Sequence, residues 1–142
     1  MFEPFFREKL GPLVLRVAIG LVCIYHGFLK IMLSGGTAWQ PGLPVFWQMV
    51  IAWGEFIAGV AIVLGFYCRL GAFVVMSITA GLFVWWHGWK IFRLPVQSLE
   101  PVVMFLLVTS ALLLIGGGEF SLDARSGSGG SWRQAPRRRM AA

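Results

Sequence analysis

The sequence predicts an all-α fold: a polytopic membrane protein built as a four-transmembrane-helix bundle with both termini cytoplasmic. Three observations predict it. First, 58% of the 142 residues are hydrophobic and only 13% are charged, about half the charged share of a water-soluble domain. Too few charges remain to cover a globule, so lipid must solvate much of the surface. Second, the apolar residues fall into four runs, 13–33, 46–65, 70–87 and 99–115. A helix needs about 20 residues to cross the ~30 Å hydrocarbon core, and the range begins near 17. The first three runs satisfy this, and the fourth does so by taking in residues just before Pro101. Third, none of the runs alternates as a transmembrane strand does, whereas a helix satisfies its own backbone hydrogen bonds in lipid.

In chain order, residues 1–12 read as an interfacial lead-in ending at Gly11–Pro12, and residues 13–123 as the transmembrane domain. Arg7 and Lys9 before the first run imitate a signal peptide. The run is too long for a signal core, no A-x-A-like site follows, and Lys30 lies within its far end, so it is a retained helix. The stretch SGGTAWQPGLP at 34–44 is a Gly/Pro loop with Trp39 at headgroup depth. A short turn at Tyr67–Cys68–Arg69 makes the second and third helices antiparallel neighbours. Residues 89–99 form the second outer connection. Gly116–Gly118 ends the fourth helix, and the Gly/Ser/Arg-rich stretch 124–142 has no apolar pattern to order it.

Of the 12 Lys and Arg residues, Arg7, Lys9, Arg16, Arg69, Arg125, Arg133, Arg137, Arg138 and Arg139 share the side of the termini. Lys30, Lys90 and Arg93 occupy the other. The positive-inside rule then puts both termini in the cytoplasm, in a bacterial-type plasma (inner) membrane. The net charge of +6 reflects this topology and a tail able to touch anionic lipid. Nucleic-acid binding is not indicated, because no folded reading element carries the basic residues.

The chain's two histidines sit in an echo, YHGFLK at 25–30 and WWHGWK at 85–90. The echo suggests a duplicated helix pair running in one direction, although Glu55 has no counterpart in the fourth helix. On the first helix, with Arg16 as zero, Gly20 falls near about +40°, Cys23 −20°, His26 −80°, Gly27 +20° and Lys30 −40°. Val14, Ala18, Leu21, Val22, Tyr25, Phe28 and Leu29 fill the opposite, lipid-facing side. Gln48, Ala52, Glu55 and Gly59 make one polar and small stripe on the second helix. Ser77, Gly81 and Gly88 give a similar expected stripe on the third. Small residues permit close helix contact in a membrane.

Glu55 lies near the bilayer midplane, where an ionised residue costs about 2.5–3.5 kcal/mol on insertion scales. It must face inward and be paired, or be protonated. His26, Lys30, Glu55, His87 and Glu100 are thus expected to converge on the outer half of the bundle. The alternative for His26, Lys30 and Glu55 is a buried network that only sets helix register. Lys30 can also snorkel to the outer headgroups, and Arg16 to the inner ones, or Arg16 can pair with Asp123 or Glu119. Two lone histidines are thin support for haem ligation. Cys23 and Cys68 differ by about 19 Å in depth, against the ~7 Å a disulfide tolerates, so thiol–disulfide chemistry is disfavoured. No cofactor motif and no metal-ligand cluster is present.

Arg16 early in the first helix, His26–Gly27 with Lys30, WGEFIAGVAIVLGFYCRLGA at 53–72 and GGGEFSLD at 116–123 together resemble the DoxX/DoxD-like family of small four-helix membrane proteins. The resemblance covers about residues 13–123. Its most specific part is the Glu55–Gly59–Gly65–Arg69 spacing after a helix ending in HGxxK. Some relatives are subunits of thiosulfate:quinone oxidoreductase or parts of membrane-associated oxidoreductase complexes. The resemblance therefore implies a subunit of a quinone-linked membrane oxidoreductase complex in thiosulfate or related sulfur metabolism. His26, Lys30 and Glu55 would form its proton and quinone pocket. Arg16, Gln48, His87 and Glu100 would make further binding contacts, and Gly27, Gly59, Arg69 and Asp123 would be structural. A bound quinone is the cofactor this reading requires, and a redox-protein subunit or a second copy of the chain its partner. The competing expectations are a non-catalytic assembly subunit and a small-solute transporter.

Overall fold

The computed structural model describes residues 10–34, 39–88 and 96–125. Its elements are α1 (Gly11–Ser34), α2 (Val45–Leu64), α3 (Cys68–His87), α4 (Val96–Ile115) and a single turn, α5 (Leu122–Arg125). Among the described residues there is no strand. The stretches Gly11–Met32, Val45–Leu64 and Cys68–His87 are each long and apolar enough to cross a membrane, and Leu99–Ile115 is a shorter apolar helix. The chain is an all-α integral membrane protein.

The helix boundaries have local causes. Pro12 stands in the first turn of α1, where its missing N–H has no intrahelical partner to lose. The helix therefore takes in Gly11 and Pro12, which the sequence assigned to a lead-in. Residues 1–9 and 126–142, with that lead-in and the expected tail, lie outside the described residues. Ala124 and Arg125 belong to α5 rather than to the tail. Helix α2 stops at Gly65, in the left-handed region at φ 70°. Phe66 N–H donates to Ala61 O at 2.9 Å and Gly65 N–H to Ile62 O at 3.1 Å, which satisfies carbonyls that a helix end leaves open. The turn is Gly65–Tyr67, so α3 begins at Cys68, two residues before the predicted start.

Helices α1 and α2 form the most intimate pair, because glycines let their backbones touch. A Cβ on Gly27 would stand 2.6 Å from Phe56 N and 2.9 Å from Ala52 O. A Cβ on Gly59 would stand 2.8 Å from Ile24 N and 2.9 Å from Gly20 O. Gln48, Ala52, Glu55 and Gly59 are all buried, as their stripe predicts, and Val14, Leu21, Tyr25 and Phe28 face outward. On α3 the expectation fails. Ser77, Gly81 and Gly88 are exposed, and the buried side is Cys68, Gly71, Ala72 and Val75. Ser77 is two residues, about 200°, from Val75 and so lies on the opposite side.

The core occupies one half of the bundle. Ile19 and Cys23 of α1, Ala58 and Ile62 of α2, Cys68, Ala72 and Val75 of α3 and Leu112 of α4 form one cluster. All lie toward the end where α1 begins and α4 finishes, here the terminal end. Toward the opposite end, α1 and α2 stay locked while the space between the four helices opens.

Replacing Gly27 with alanine is expected to force α1 and α2 apart and to destabilise the protein by about 1–3 kcal/mol, the usual cost of overpacking. Gly81→Ala is the control: its Cβ would meet nothing within 4 Å, and alanine favours the helix. Thermal unfolding in detergent should show a lower midpoint for the first variant and an unchanged or higher one for the second.

Candidate functional site

Glu55 is the eleventh of the twenty residues of α2 and is 7% exposed. Because Gly27 holds α1 against α2 at Ala52 and Phe56, a lysine one turn further along α1 comes within reach of this carboxylate. Lys30 Nζ donates to Glu55 Oε2 in an ion pair. The ammonium also lies 5.0 Å from the centroid of the Trp39 ring, within cation–π range. Trp39 Nε1 is itself buried without a hydrogen-bond partner, so the indole serves the pair as an apolar lid. Gln48 fixes the approach to that lid. Its Nε2 donates to Gln40 O at 2.8 Å and Leu43 O at 2.6 Å, and its Oε1 accepts from Gln40 N at 2.9 Å. Gln48, expected in a binding role, is engaged in holding the loop.

Beside the ion pair lies a cavity of about 360 Å³ to which all four helices contribute: His26 from α1, Glu55 from α2, Thr79, Leu82 and Phe83 from α3, and Pro101, Val102 and Phe105 from α4. Sites for small organic ligands are typically about 300–1,000 Å³, mostly apolar, with a few convergent polar groups. The polar residues of the lining are Glu55, His26 and Thr79. Among the described residues none of the three makes a further hydrogen bond. The hydroxyls of α4 behave differently: Thr109 Oγ1 donates to Phe105 O at 2.8 Å and Ser110 Oγ to Leu106 O at 2.7 Å. The cavity thus collects unsatisfied hydrogen-bonding capacity that the neighbouring helix consumes internally.

The remaining sequence-predicted residues lie elsewhere. His87 Nδ1 is 3.2 Å from Phe83 O of its own helix, and its ring packs on Phe83. Glu100 faces outward. Neither lines the cavity, so the expected convergence of five titratable groups reduces to His26, Lys30 and Glu55. The echo of the two histidines is not structural equivalence: His26 lies within α1, while His87 is the last residue of α3. His26 is exposed rather than buried, as its place at the edge of the polar arc explains. Sequence reasoning missed Thr79, Leu82 and Phe83. The stripe of small residues from Cys68 through Val75, extended by one and two turns, leads to them.

Arg16 lies at the terminal end, 3% exposed. It pairs with neither Asp123 nor Glu119: its Nη1 donates to Gly117 O at 2.9 Å and its Nη2 to Phe120 O at 3.3 Å. Asp123 instead caps α3, accepting from Tyr67 N at 2.8 Å and Cys68 N at 2.9 Å, where the helix dipole favours a carboxylate. Arg69 Nη2 reaches Leu114 O at 3.4 Å. The stretch 116–125 is in this way tied over the α2–α3 turn. Cys23 and Cys68 are both free and buried.

These features define a class: a small helical membrane protein with a mostly apolar cavity, polar at one end, between its helices. Residues 11–88, which carry α1–α3 and with them His26, Lys30 and Glu55, match the DoxX family model. The chain belongs to the DoxX family. No curated protein and no solved structure matches it.

Removing Lys30 alone leaves a buried carboxylate uncompensated. Lys30→Met is expected to lower stability by about 3–5 kcal/mol, and Lys30→Met with Glu55→Gln to recover most of it, as a double-mutant cycle by denaturation in detergent would reveal. Asp123→Ala is expected to cost about 0.5–2 kcal/mol, the range for a lost N-terminal cap. Maleimide labelling of Cys68 in the folded protein should become faster in that variant.

Proposed function

We propose that this DoxX-family protein is the quinone-binding membrane subunit of an oxidoreductase complex, of the kind that links thiosulfate or a related sulfur substrate to the quinone pool. The observation that carries the reading is the cavity beside the Lys30–Glu55 pair, with apolar walls and a polar end formed by Glu55, His26 and Thr79. A quinone head is a flat ring with two polar edges, and such a volume suits it. His26 and Thr79 can donate to a carbonyl oxygen, and Glu55, His26 and Lys30 are groups through which protons can pass. Electrons come from a partner subunit or a diffusible donor. Under this reading the Arg-rich terminal end faces the cytoplasm and the cavity lies in the outer half of the plasma membrane.

A second reading has its own support. The Lys30–Glu55 ion pair, the Gln48 loop contacts and the Arg16 clamp all neutralise polar groups within the fold, as they would in a subunit whose task is assembly.

Quinone extracted from the purified protein separates the two. Wild type is expected to retain quinone or its quinol, and Glu55→Gln and His26→Ala to lose at least about tenfold of the two together, the effect of one or two polar contacts. Absence of both from every form, with a partner protein captured equally by all three, would leave assembly as the function.

A further inference from the structure

We infer that the cavity is built for the reduced, hydroxyl-bearing form of its ligand: a quinol binds it more tightly than the matching quinone. The inference rests on the quinone reading above and names the redox form that the site selects.

A carboxylate held in an ion pair accepts hydrogen bonds and donates none. Lys30 occupies Oε2 of Glu55, and the other oxygen accepts no hydrogen bond among the described residues. The residue is 7% exposed and lines the cavity. A ligand that satisfies this oxygen must bring a donor. A quinone has only carbonyl acceptors, which would face the anion unfavourably; a quinol brings a hydroxyl. The two other polar groups do not discriminate, because imidazole and a threonine hydroxyl each act as donor or acceptor. Lys30, a fixed donor, is not among the residues lining the cavity; it donates to Glu55 and lies against the face of Trp39. The ion pair therefore sets the preference.

The cavity also has a way in from the bilayer. Gly20 and Gly27 turn toward α2, and His26 lies on the other flank of α1, about 100° from Gly27. Because His26 is exposed while lining the cavity with Pro101, Val102 and Phe105 of α4, the opening falls along the α1–α4 seam. An amphiphile can place its head at Glu55 and leave its tail in lipid through that seam. Tighter binding of the quinol makes the bound quinone easier to reduce, by about 30 mV for each tenfold of preference.

The test is the affinity of the wild-type protein in lipid nanodiscs for a decyl benzoquinone and for its hydroquinone, measured anaerobically by calorimetry. The hydroquinone is expected to bind at least about tenfold tighter, the scale of one hydrogen bond to a charged group. In Glu55→Gln with Lys30→Met, whose amide donates as well as accepts, the ratio should fall toward one. Equal affinities in wild type, or tighter quinone, would overturn the preference and leave the quinone site standing. Binding of neither form would overturn both. A preference that persists undiminished in the double variant would also overturn the assignment to Glu55.

Discussion

The ion pair between Lys30 and Glu55 is the constraint around which the half of the bundle away from the terminal end is arranged. A lone carboxylate halfway along a membrane helix is costly, and the cost falls only if a cation reaches it within the bundle. Reaching it requires α1 and α2 to lie closer than ordinary side chains allow. Gly27 supplies that closeness, against the backbone of Ala52 and Phe56. Closeness alone would leave the ammonium open at its outer side, and the face of Trp39 covers it there. Trp39 in turn begins the short described loop that Gln48 holds through Gln40 and Leu43. A glutamine at 1% exposure that makes three hydrogen bonds to one loop is explained by the residue that loop delivers.

The two halves of the bundle solve the polar problem in opposite ways. At the terminal end most polar groups are matched within the fold: Arg16 is held by two carbonyls, though its Nε has no partner, Asp123 by two amide donors, and Ser121 Oγ by Gly118 O. Around these contacts the apolar cluster from Ile19 to Leu112 is packed. In the other half the helices stay apart far enough to leave a cavity, and its polar groups remain available. Packing that fixes four helices at one end allows them to be held open at the other, since the tied end supplies the geometry the cavity needs.

How far the sequence revealed this depended on whether one helix or several had to be known. The buried stripe Gln48–Ala52–Glu55–Gly59 and the outward face of α1 follow from a 100° step alone, and both are seen. On α3 the same step fails, because serine and glycine do not mark the interior there. In lipid an isolated serine costs little outside the bundle, and the interior of α3 is marked by small apolar residues instead. The partners of Arg16 were illegible for a different reason. They are backbone carbonyls 101 and 104 residues away, and a carbonyl has no signature in the sequence. The histidine echo misled because equal neighbours do not mean equal depth: one ring lies within its helix and the other ends it.

Glu55 is more than a fold requires. If its role were to hold α1 against α2, apolar side chains of similar size would do so at lower cost, since buried ion pairs are often matched or exceeded by hydrophobic packing. A register-setting pair would also be expected to satisfy both partners fully. Here Lys30 engages the carboxylate through one oxygen, and Glu55 lines the cavity beside the pair. On the quinone reading proposed above, a ligand completes the carboxylate, and the apolar walls from Leu82 to Phe105 suit a molecule that is mostly hydrocarbon.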